Sequence, residues 1–277
     1  MRNLTQDNIT GAVIARMAAT PDPRLKEIMT SLVKHLHAFA REVKLTEDEW
    51  FEGIEFLTRV GRMTDEKRQE FILLSDTLGL SMLVVAMNND KPKGATESTV
   101  FGPFYVEGAP KFECGDDVAN GAVGTPCLVR GCVRDIHGKP VPGARIDVWQ
   151  ADAQGKYDVQ RGGDKHMARG TLSSRGDGSY SFRSILAEAY PIPDDGPVGD
   201  MLRATQRHPW RPAHLHFMIE APGYETLITH VFRQGDAYLD SDAVFGVRQS
   251  LVAEWVKQPD GTYLVEYDFV LNPESDR

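Results

Sequence analysis

The periodicity of the apolar residues changes near residue 95 of this 277-residue chain. Before that point they recur at spacings of three and four, which is typical of one face of a helix, as in Leu25, Ile28, Leu32, Leu36 and Phe39. After it, short apolar stretches are separated by turns rich in Gly and Pro, which is typical of strands. We therefore predict a mainly β fold, in which an all-α N-terminal domain (residues 1–95) precedes a β-sandwich domain (residues 96–277).

Three helices are predicted in the first domain. Pro21 and Pro23 mark the start of the first helix. Thr46 and Glu49 have the spacing of a capping box, so the second helix begins there. The third is expected to begin at Thr64 and to run toward Met87.

Strands are predicted over residues 127–133, 146–148, 171–173, 180–182, 214–220, 226–232 and 263–270. Residues 175–178, with the sequence Arg-Gly-Asp-Gly, favour a hairpin between the third and fourth of these strands. The stretch from residue 190 to residue 212 has many prolines and no periodicity, so it is expected to be a long loop with a functional role.

Composition excludes several classes of function. The net charge is −9 and no basic cluster is present, so no nucleic-acid partner is expected. The longest apolar run covers residues 78–87, against the ~20 residues that a membrane span needs. The first ten residues contain no apolar stretch typical of a secretory signal, so we expect a cytoplasmic protein that does not enter a membrane. Three cysteines without CxxC spacing support neither a disulfide framework nor a thiolate zinc site.

His214 and His216 are the first candidate site residues. They are two positions apart in a predicted strand, so both imidazoles project from one face while Leu215 and Phe217 occupy the apolar face. Two neutral imidazoles on one face can bind a metal ion, although they can equally be polar residues on a solvated face.

The residues alone leave the metal open. The iron(II) site of two histidines and one carboxylate needs a carboxylate that the sequence does not single out. Tyr157 and Tyr190 lie in neighbouring loops, and each alone is more typical of packing than of metal binding. A hard trivalent cation would lower the phenol pKa enough for a phenolate to bind it.

Three segments resemble a known family. The stretch VRGCVRDIHGKPVPGARIDVWQADAQGKYD at residues 129–158, AYPIP at 189–193 and RPAHLHF at 211–217 are similar to those of intradiol ring-cleavage dioxygenases. The resemblance implies a non-haem iron(III), one per subunit, held by Tyr157, Tyr190, His214 and His216 with a hydroxide. Two phenolates and a hydroxide would balance the charge of the iron. Tyr190 would also act as a catalytic base, and Arg211 would stabilise negative charge on the substrate ring.

Within the family, ESTVFGPFY at residues 97–105 and the segments at 211–232 and 236–251 are most similar to the hydroxyquinol 1,2-dioxygenase subgroup. This resemblance implies a substrate pocket lined, with Arg211, by Leu73, Asp76, Val100, Phe101, Gly102, Pro103, Phe104, Ile192, Pro193 and Val244. Asp76 interrupts an apolar run and is expected either to meet the third hydroxyl of hydroxyquinol or to pair within the helical domain. His230 stands where many catechol-cleaving relatives carry Gln, so its role is open.

The implied reaction is cleavage of hydroxyquinol (benzene-1,2,4-triol) by O2 to 3-hydroxy-cis,cis-muconate, which tautomerises to maleylacetate. Catechol, chlorocatechol and chlorohydroxyquinol are alternative substrates, and a transthyretin-like binding sandwich without iron is an alternative of a different class. An extradiol enzyme using iron(II) is disfavoured by the two tyrosines. The family resemblance also implies a homodimer formed through the N-terminal helices, with a lipid-like molecule in the helical interface.

Overall fold

The computed structural model describes residues 2–66, 68–161 and 165–274. The chain forms two compact units, Met1–Arg59 and Val60–Arg277. Five helices precede the first strand along the described chain, so the predicted fold class, a β-sandwich domain preceded by helices, is confirmed. The domain boundary at residue 95 stays a prediction.

The first unit contains α1 (Ile9–Arg16), α2 (Pro23–Glu42) and most of α3 (Glu47–Met63). Pro23 is the first residue of α2, and the Asp22 carboxylate accepts hydrogen bonds from the backbone N–H groups of Arg24 and Leu25. The capping box is confirmed, because Glu49 accepts from the Thr46 N–H at 2.9 Å and donates its own N–H to the Thr46 hydroxyl at 3.3 Å.

The second unit begins with a broken helix. The prediction of one helix from Thr64 to Met87 is wrong: α4 (Glu70–Thr77) and α5 (Leu80–Asn88) are separate elements, bent by 77°. Gly79 between them has φ +74°, a left-handed conformation that ends a helix. Among the described helices, none alone is long and apolar enough to cross a membrane; only α4 and α5 taken together meet that test.

Twelve strands and one further helix follow in the described residues, namely β1 (Pro126–Asp135), β2 (Arg145–Trp149), β3 (Arg169–Ser173), β4 (Ser179–Ile185), β5 (Tyr190–Pro191), α6 (Pro197–Ala204), β6 (Trp210–Arg211), β7 (His214–Glu220), β8 (Leu227–Arg233), β9 (Val252–Ala253), β10 (Trp255–Lys257), β11 (Tyr263–Glu266) and β12 (Phe269–Leu271). They form two five-stranded sheets and a short two-stranded sheet of β5 and β6.

The two larger sheets face each other across the main core. In one sheet β1 is central and pairs with β4, β11 and β12, while β10 pairs with β11; the other has the order β3-β2-β7-β8-β9. Phe182 of β4 and Phe217 of β7 come from opposite sheets and are fully buried in one cluster. Burial of such rings is the main favourable contribution to folding here.

Three details differ from the sequence-based predictions. β3 and β4 belong to different sheets, so the turn between them crosses from sheet to sheet and is not a hairpin. The predicted strand over 263–270 is divided into β11 and β12. The stretch from 190 to 212 contains β5, α6 and β6, since local pairing and a short helix satisfy its backbone.

Gly131 marks the place where β1 changes its parallel neighbour. Before it, β1 pairs with β11, and after it with β12. The Tyr267 carbonyl lies so close to Gly131 that an added Cβ would come within 1.7 Å of its oxygen. The Tyr180 hydroxyl donates to the same carbonyl at 2.7 Å, which fixes that oxygen in place. A glycine is therefore required at this position.

We predict that Gly131→Ala destabilises the protein by at least ~1–3 kcal/mol, because the new Cβ must displace the Tyr267 carbonyl from its hydrogen bond. Gly176→Ala is the matched control, since a Cβ there meets no atom within 4 Å. Urea unfolding of the two variants measures the difference. Equal midpoints for both variants would contradict this account of Gly131.

Candidate metal centre and active site

The alternation of β7 separates its polar and apolar side chains. Leu215, Phe217 and Ile219 are fully buried in the core between the sheets. His214 and His216 point to the opposite face, as the period of two requires, and are also buried. The two imidazoles therefore lie beneath the loops that cover this face.

Four side chains converge there. The Tyr157 Oη lies 3.1 Å from the Tyr190 Oη and 2.7 Å from the His216 Nε2. The His214 Nε2 lies 3.1 Å from the His216 Nε2. Tyr157 precedes a short helical turn, and Tyr190 is held in β5 by pairing with Arg211. The structure thus brings together the four residues singled out as metal ligands, with their donor atoms facing one another.

The two histidines are neutral at ordinary pH. Burial and the charge of Arg211 lower the pKa of His214 to about 3, and burial together with His214 lowers the pKa of His216 well below its usual value. The Pro212 carbonyl lies 2.7 Å from the His214 Nδ1. Because a carbonyl only accepts, Nδ1 carries the proton and Nε2 keeps the lone pair that a metal ion needs.

The two phenols are neutral unless a cation compensates them. Burial, followed by the neighbouring Tyr190, raises the pKa of Tyr157 well above its usual value. Burial also raises the pKa of Tyr190, against the opposing charge of Arg211. Phe104 stacks on the Tyr157 ring with centroids 4.4 Å apart, so an apolar side chain covers one face of the phenol ring. In such surroundings a phenolate requires a nearby positive charge.

His230 extends the cluster. It is the cross-strand partner of His216 in the β7–β8 pair and is fully buried. The ring nitrogens of His214, His216 and His230 come within 4.8 Å of one another, so these three residues could also bind a metal ion. Within the described chain, neither ring nitrogen of His230 has a hydrogen-bond partner of normal geometry. Its ring, however, stacks on that of His214 with centroids 4.6 Å apart and planes 28° apart.

The His216 ring is held from both sides. Trp149 stacks on it with centroids 4.8 Å apart and planes 15° apart. Gly102, at φ +77°, approaches so closely that a Cβ would lie 3.2 Å from the His216 Cε1. The packing of Trp149 therefore fixes the ring of a site residue.

Arg211 lies at the edge of the donor cluster. Its Nη1 is 3.2 Å from the His214 Nε2, and its guanidinium is paired with Asp242. Burial alone would lower the pKa of Arg211, but the Asp242 carboxylate and the two phenols raise it, so the positive charge is permanent. Asp242 was not predicted from the sequence, because it is one of three aspartates in residues 236–242 and no local pattern distinguishes it.

A second buried ion pair lies behind Tyr157. Arg169 donates to the carboxylate of Asp158, the residue that follows Tyr157 in the sequence. It also donates to the Phe104 carbonyl at 2.9 Å. Both charged side chains are almost fully buried. This pair joins the loop that carries Tyr157 to the loop that carries Phe104, and no sequence motif pointed to it.

A cavity of about 930 Å³ opens beside the cluster. Five of the predicted pocket residues line it, namely Leu73, Pro103, Phe104, Ile192 and Pro193. The other predicted residues are not in its lining: Asp76, Val100, Arg211 and Val244 are buried, Gly102 packs on His216, and Phe101 packs on Trp149. Burial raises the pKa of Asp76, against a hydrogen bond from Ser81 and the charge of Arg211. Arg211 and Asp242 thus lie close enough to Asp76 to act on its charge.

Comparisons with known proteins agree with this arrangement. A family model described as "Dioxygenase" matches residues 100–273, and one described as "Catechol dioxygenase N terminus" matches residues 22–96. The first covers more than half of the chain. The chain therefore belongs to the intradiol ring-cleavage dioxygenases, and it is an enzyme of that class.

Several relatives within this family are named for the substrate that they cleave. The chain is 67% identical over 274 residues to 6-chlorohydroxyquinol 1,2-dioxygenase of Cupriavidus pinatubonensis, covering 99% of both chains. It is 56% identical over 256 residues to hydroxyquinol 1,2-dioxygenase of Nocardioides simplex, covering 92% of this chain and 87% of that one. The crystal structure of hydroxyquinol 1,2-dioxygenase from Pseudomonas putida superposes with a TM-score of 0.91 at 48% identity, covering 97% and 99%. The chain is thus similar to hydroxyquinol-cleaving members of the family.

We predict that Arg169→Ala destabilises the protein by ~3–5 kcal/mol, because it leaves the Asp158 carboxylate buried without its partner. Arg203→Ala removes an exposed pair with Asp200 and serves as the control, with an expected loss below ~1 kcal/mol. Denaturant unfolding at neutral pH measures both. Similar small losses in the two variants would show that the buried pair does not hold this part of the site.

Proposed function

We propose that this enzyme cleaves hydroxyquinol between its two adjacent hydroxyl-bearing carbons, using O2 and a mononuclear iron(III) held by Tyr157, Tyr190, His214 and His216. The observation that carries the proposal is the convergence of these four donor groups in a buried site beside a cavity: the pairs Tyr190–Tyr157, Tyr157–His216 and His216–His214 have donor atoms 2.7–3.1 Å apart. The product is 3-hydroxy-cis,cis-muconate, which tautomerises to maleylacetate.

The donor set fits a trivalent cation. Two phenols and two neutral imidazoles are buried together, and the His216 Nδ1 has no hydrogen-bond partner in the described chain. Burying this many polar groups is costly unless a charge compensates them. Because their pKa values are raised by burial, the two phenols need a nearby positive charge in order to ionise. A hard cation would supply that charge and stabilise both phenolates.

A ligand set made of His214, His216 and His230 is the alternative. It is less favoured because the His230 ring lies nearly parallel to the His214 ring, which directs a ring face rather than a nitrogen toward it. The Tyr157 oxygen, by contrast, is 2.7 Å from the His216 Nε2. Of the two sets, the tyrosines therefore provide the better directed donors.

Bound iron would act as a Lewis acid that draws electron density from the bound diol and makes a ring carbon reactive toward oxygen. Tyr190 would accept a proton from a diol hydroxyl at its Oη. Arg211 would stabilise the negative charge that develops on the ring, since its guanidinium is buried and lies beside both His214 and Tyr190. Phe104 and Trp149 would keep water away from the cluster.

Asp76, although outside the cavity lining, supports a triol over a diol as the substrate. Asp76 is a buried carboxyl on the same helix as Leu73, which lines the cavity. A buried carboxyl gains from a hydrogen-bond partner, and the third hydroxyl of hydroxyquinol can provide one. The names of the Cupriavidus and Nocardioides relatives support the same substrate class, with or without chlorine.

Oxygen uptake by the iron-loaded protein tests the proposal, with hydroxyquinol, 6-chlorohydroxyquinol and catechol measured in parallel. We expect one O2 consumed per hydroxyquinol, loss of the substrate's ultraviolet absorption and much slower uptake with catechol. Equal or faster uptake with catechol would instead support the alternative, a catechol 1,2-dioxygenase. A colourless protein without uptake on any of the three would contradict the iron site.

We predict that Asp76→Ala lowers kcat/KM for hydroxyquinol by about tenfold or more and for catechol by much less, because only the triol offers the third hydroxyl. Leu73→Ala is the matched control on the same helix; it removes apolar pocket wall and should affect both substrates alike. Steady-state oxygen uptake on the two substrates gives the ratio. Equal losses in Asp76→Ala would show that Asp76 pairs only within the protein.

The remaining proposals concern assembly and location. We propose a homodimer formed through the N-terminal helices, with a lipid-like molecule in the interface. The support is that the apolar residues of α2 and α3 are about half exposed, among them Leu36, Phe39, Trp50 and Phe51. A cytoplasmic location is proposed on the sequence alone.

A further inference from the structure

Asp242 holds the guanidinium of Arg211 along one edge. The Arg211 Nε lies 3.0 Å from Oδ1 of Asp242, and the Nη2 lies 3.2 Å from Oδ2. Both side chains are at least 95% buried. Because this fork pairs two of the three nitrogens with one carboxylate, the third nitrogen, Nη1, is directed toward the His214 Nε2.

The carboxylate is itself fixed by the backbone. Oδ1 of Asp242 accepts the N–H of Val244 at 3.3 Å, and Oδ2 accepts the N–H of Gly246 at 2.9 Å. The carboxylate thus has four donors, two from the guanidinium and two from its own loop. It cannot turn without breaking several charge-assisted hydrogen bonds.

The loop is packed directly behind the guanidinium. A Cβ at Gly246 would lie 3.0 Å from the Arg211 Nη2 and 3.0 Å from the Thr99 Oγ1. The Thr99 hydroxyl donates to the Gly246 carbonyl at 2.8 Å, and the Ala243 N–H donates to the Trp210 carbonyl at 3.1 Å. Hydrogen bonds therefore fix the loop at Ala243 and at Gly246. Between them lies Val244, a predicted pocket residue.

We propose that Asp242 is a positioning residue for ring cleavage: it sets the direction of the Arg211 guanidinium and couples it to the buried loop that carries Val244. This rests on the proposed function, in which Arg211 acts on the substrate ring. The two hydrogen bonds to Asp242 fix Nε and Nη2 of Arg211, and Nη1 remains directed toward the donor cluster. Misplacement of such a charge by about 1 Å lowers turnover by up to ~100-fold.

The test compares Asp242→Asn, Arg211→Ala and the double variant, all iron-loaded, by steady-state oxygen uptake with hydroxyquinol. Asp242→Asn should lower kcat by 10- to 100-fold with less than a threefold change in KM, and its iron content and visible absorption should match the unsubstituted enzyme. In the double variant, adding Asp242→Asn to Arg211→Ala should lower kcat by less than a further twofold, because Asp242 acts through Arg211. Additive losses, unchanged kcat or lost iron would each overturn the proposal.

Asp135→Asn is the matched control. Asp135 is also buried and accepts the N–H groups of His137 and Lys139, at 2.8 and 2.9 Å, with no arginine among its described partners. The kcat of Asp135→Asn should equal that of the unsubstituted enzyme. A kcat loss as large as that of Asp242→Asn would mean that losing a loop anchor alone explains the effect, and would overturn the positioning role.

Gly246→Ala covers the case in which Asp242→Asn fails to fold. It keeps the carboxylate and presses a methyl group on the Arg211 Nη2, so kcat should fall several-fold with normal iron content. Unchanged kcat would contradict the proposal. A crystal structure of Asp242→Asn or Gly246→Ala gives a test that does not depend on activity: the Arg211 guanidinium should be displaced from its position in the unsubstituted enzyme, and an unmoved guanidinium would overturn the inference. An inactive unsubstituted enzyme would instead refute the proposed function.

Discussion

The structure depends on the strict alternation of side chains along β7. Leu215, Phe217 and Ile219 fill the core between the sheets, and this fixes the strand so that it cannot slip by one residue without exposing all three. The same register places His214 and His216 on the covered face, opposite Phe232 and His230 of β8. The energy that folds the sandwich therefore also places the imidazoles on this face, where Trp149 and Gly102 then fix the His216 ring.

Two buried arginine–carboxylate pairs flank the donor cluster. Arg169 and Asp158 support the side of Tyr157, and Arg211 and Asp242 support the side of Tyr190 and His214. Such pairs contribute little net stability when compared with apolar residues, but they are costly to break and strongly directional. They hold the aromatic donors in place from behind, so the site is organised before any ligand binds.

The sequence indicated the sandwich, the capping box of α3 and the four donor residues, because each depends on a local pattern or on segments typical of the family. It did not indicate Asp242, Arg169 or the stacking of Trp149 on His216, since these contacts join residues that are distant in the chain. The predicted hairpin around residues 175–178 was wrong for the same reason: a turn motif specifies the turn but not which sheet receives the next strand. The continuous helix toward Met87 was wrong because Gly79 adopts a left-handed conformation that apolar periodicity does not report.

The central claim is that one iron ion is held by two tyrosines and two histidines. Anomalous diffraction at the iron edge, from crystals of the iron-loaded protein, tests it most directly. The account predicts a single peak within coordination distance of the Tyr157 and Tyr190 Oη atoms and the His214 and His216 Nε2 atoms. A peak bonded to His230 with the tyrosines outside the coordination sphere, or no peak at this position, would contradict it.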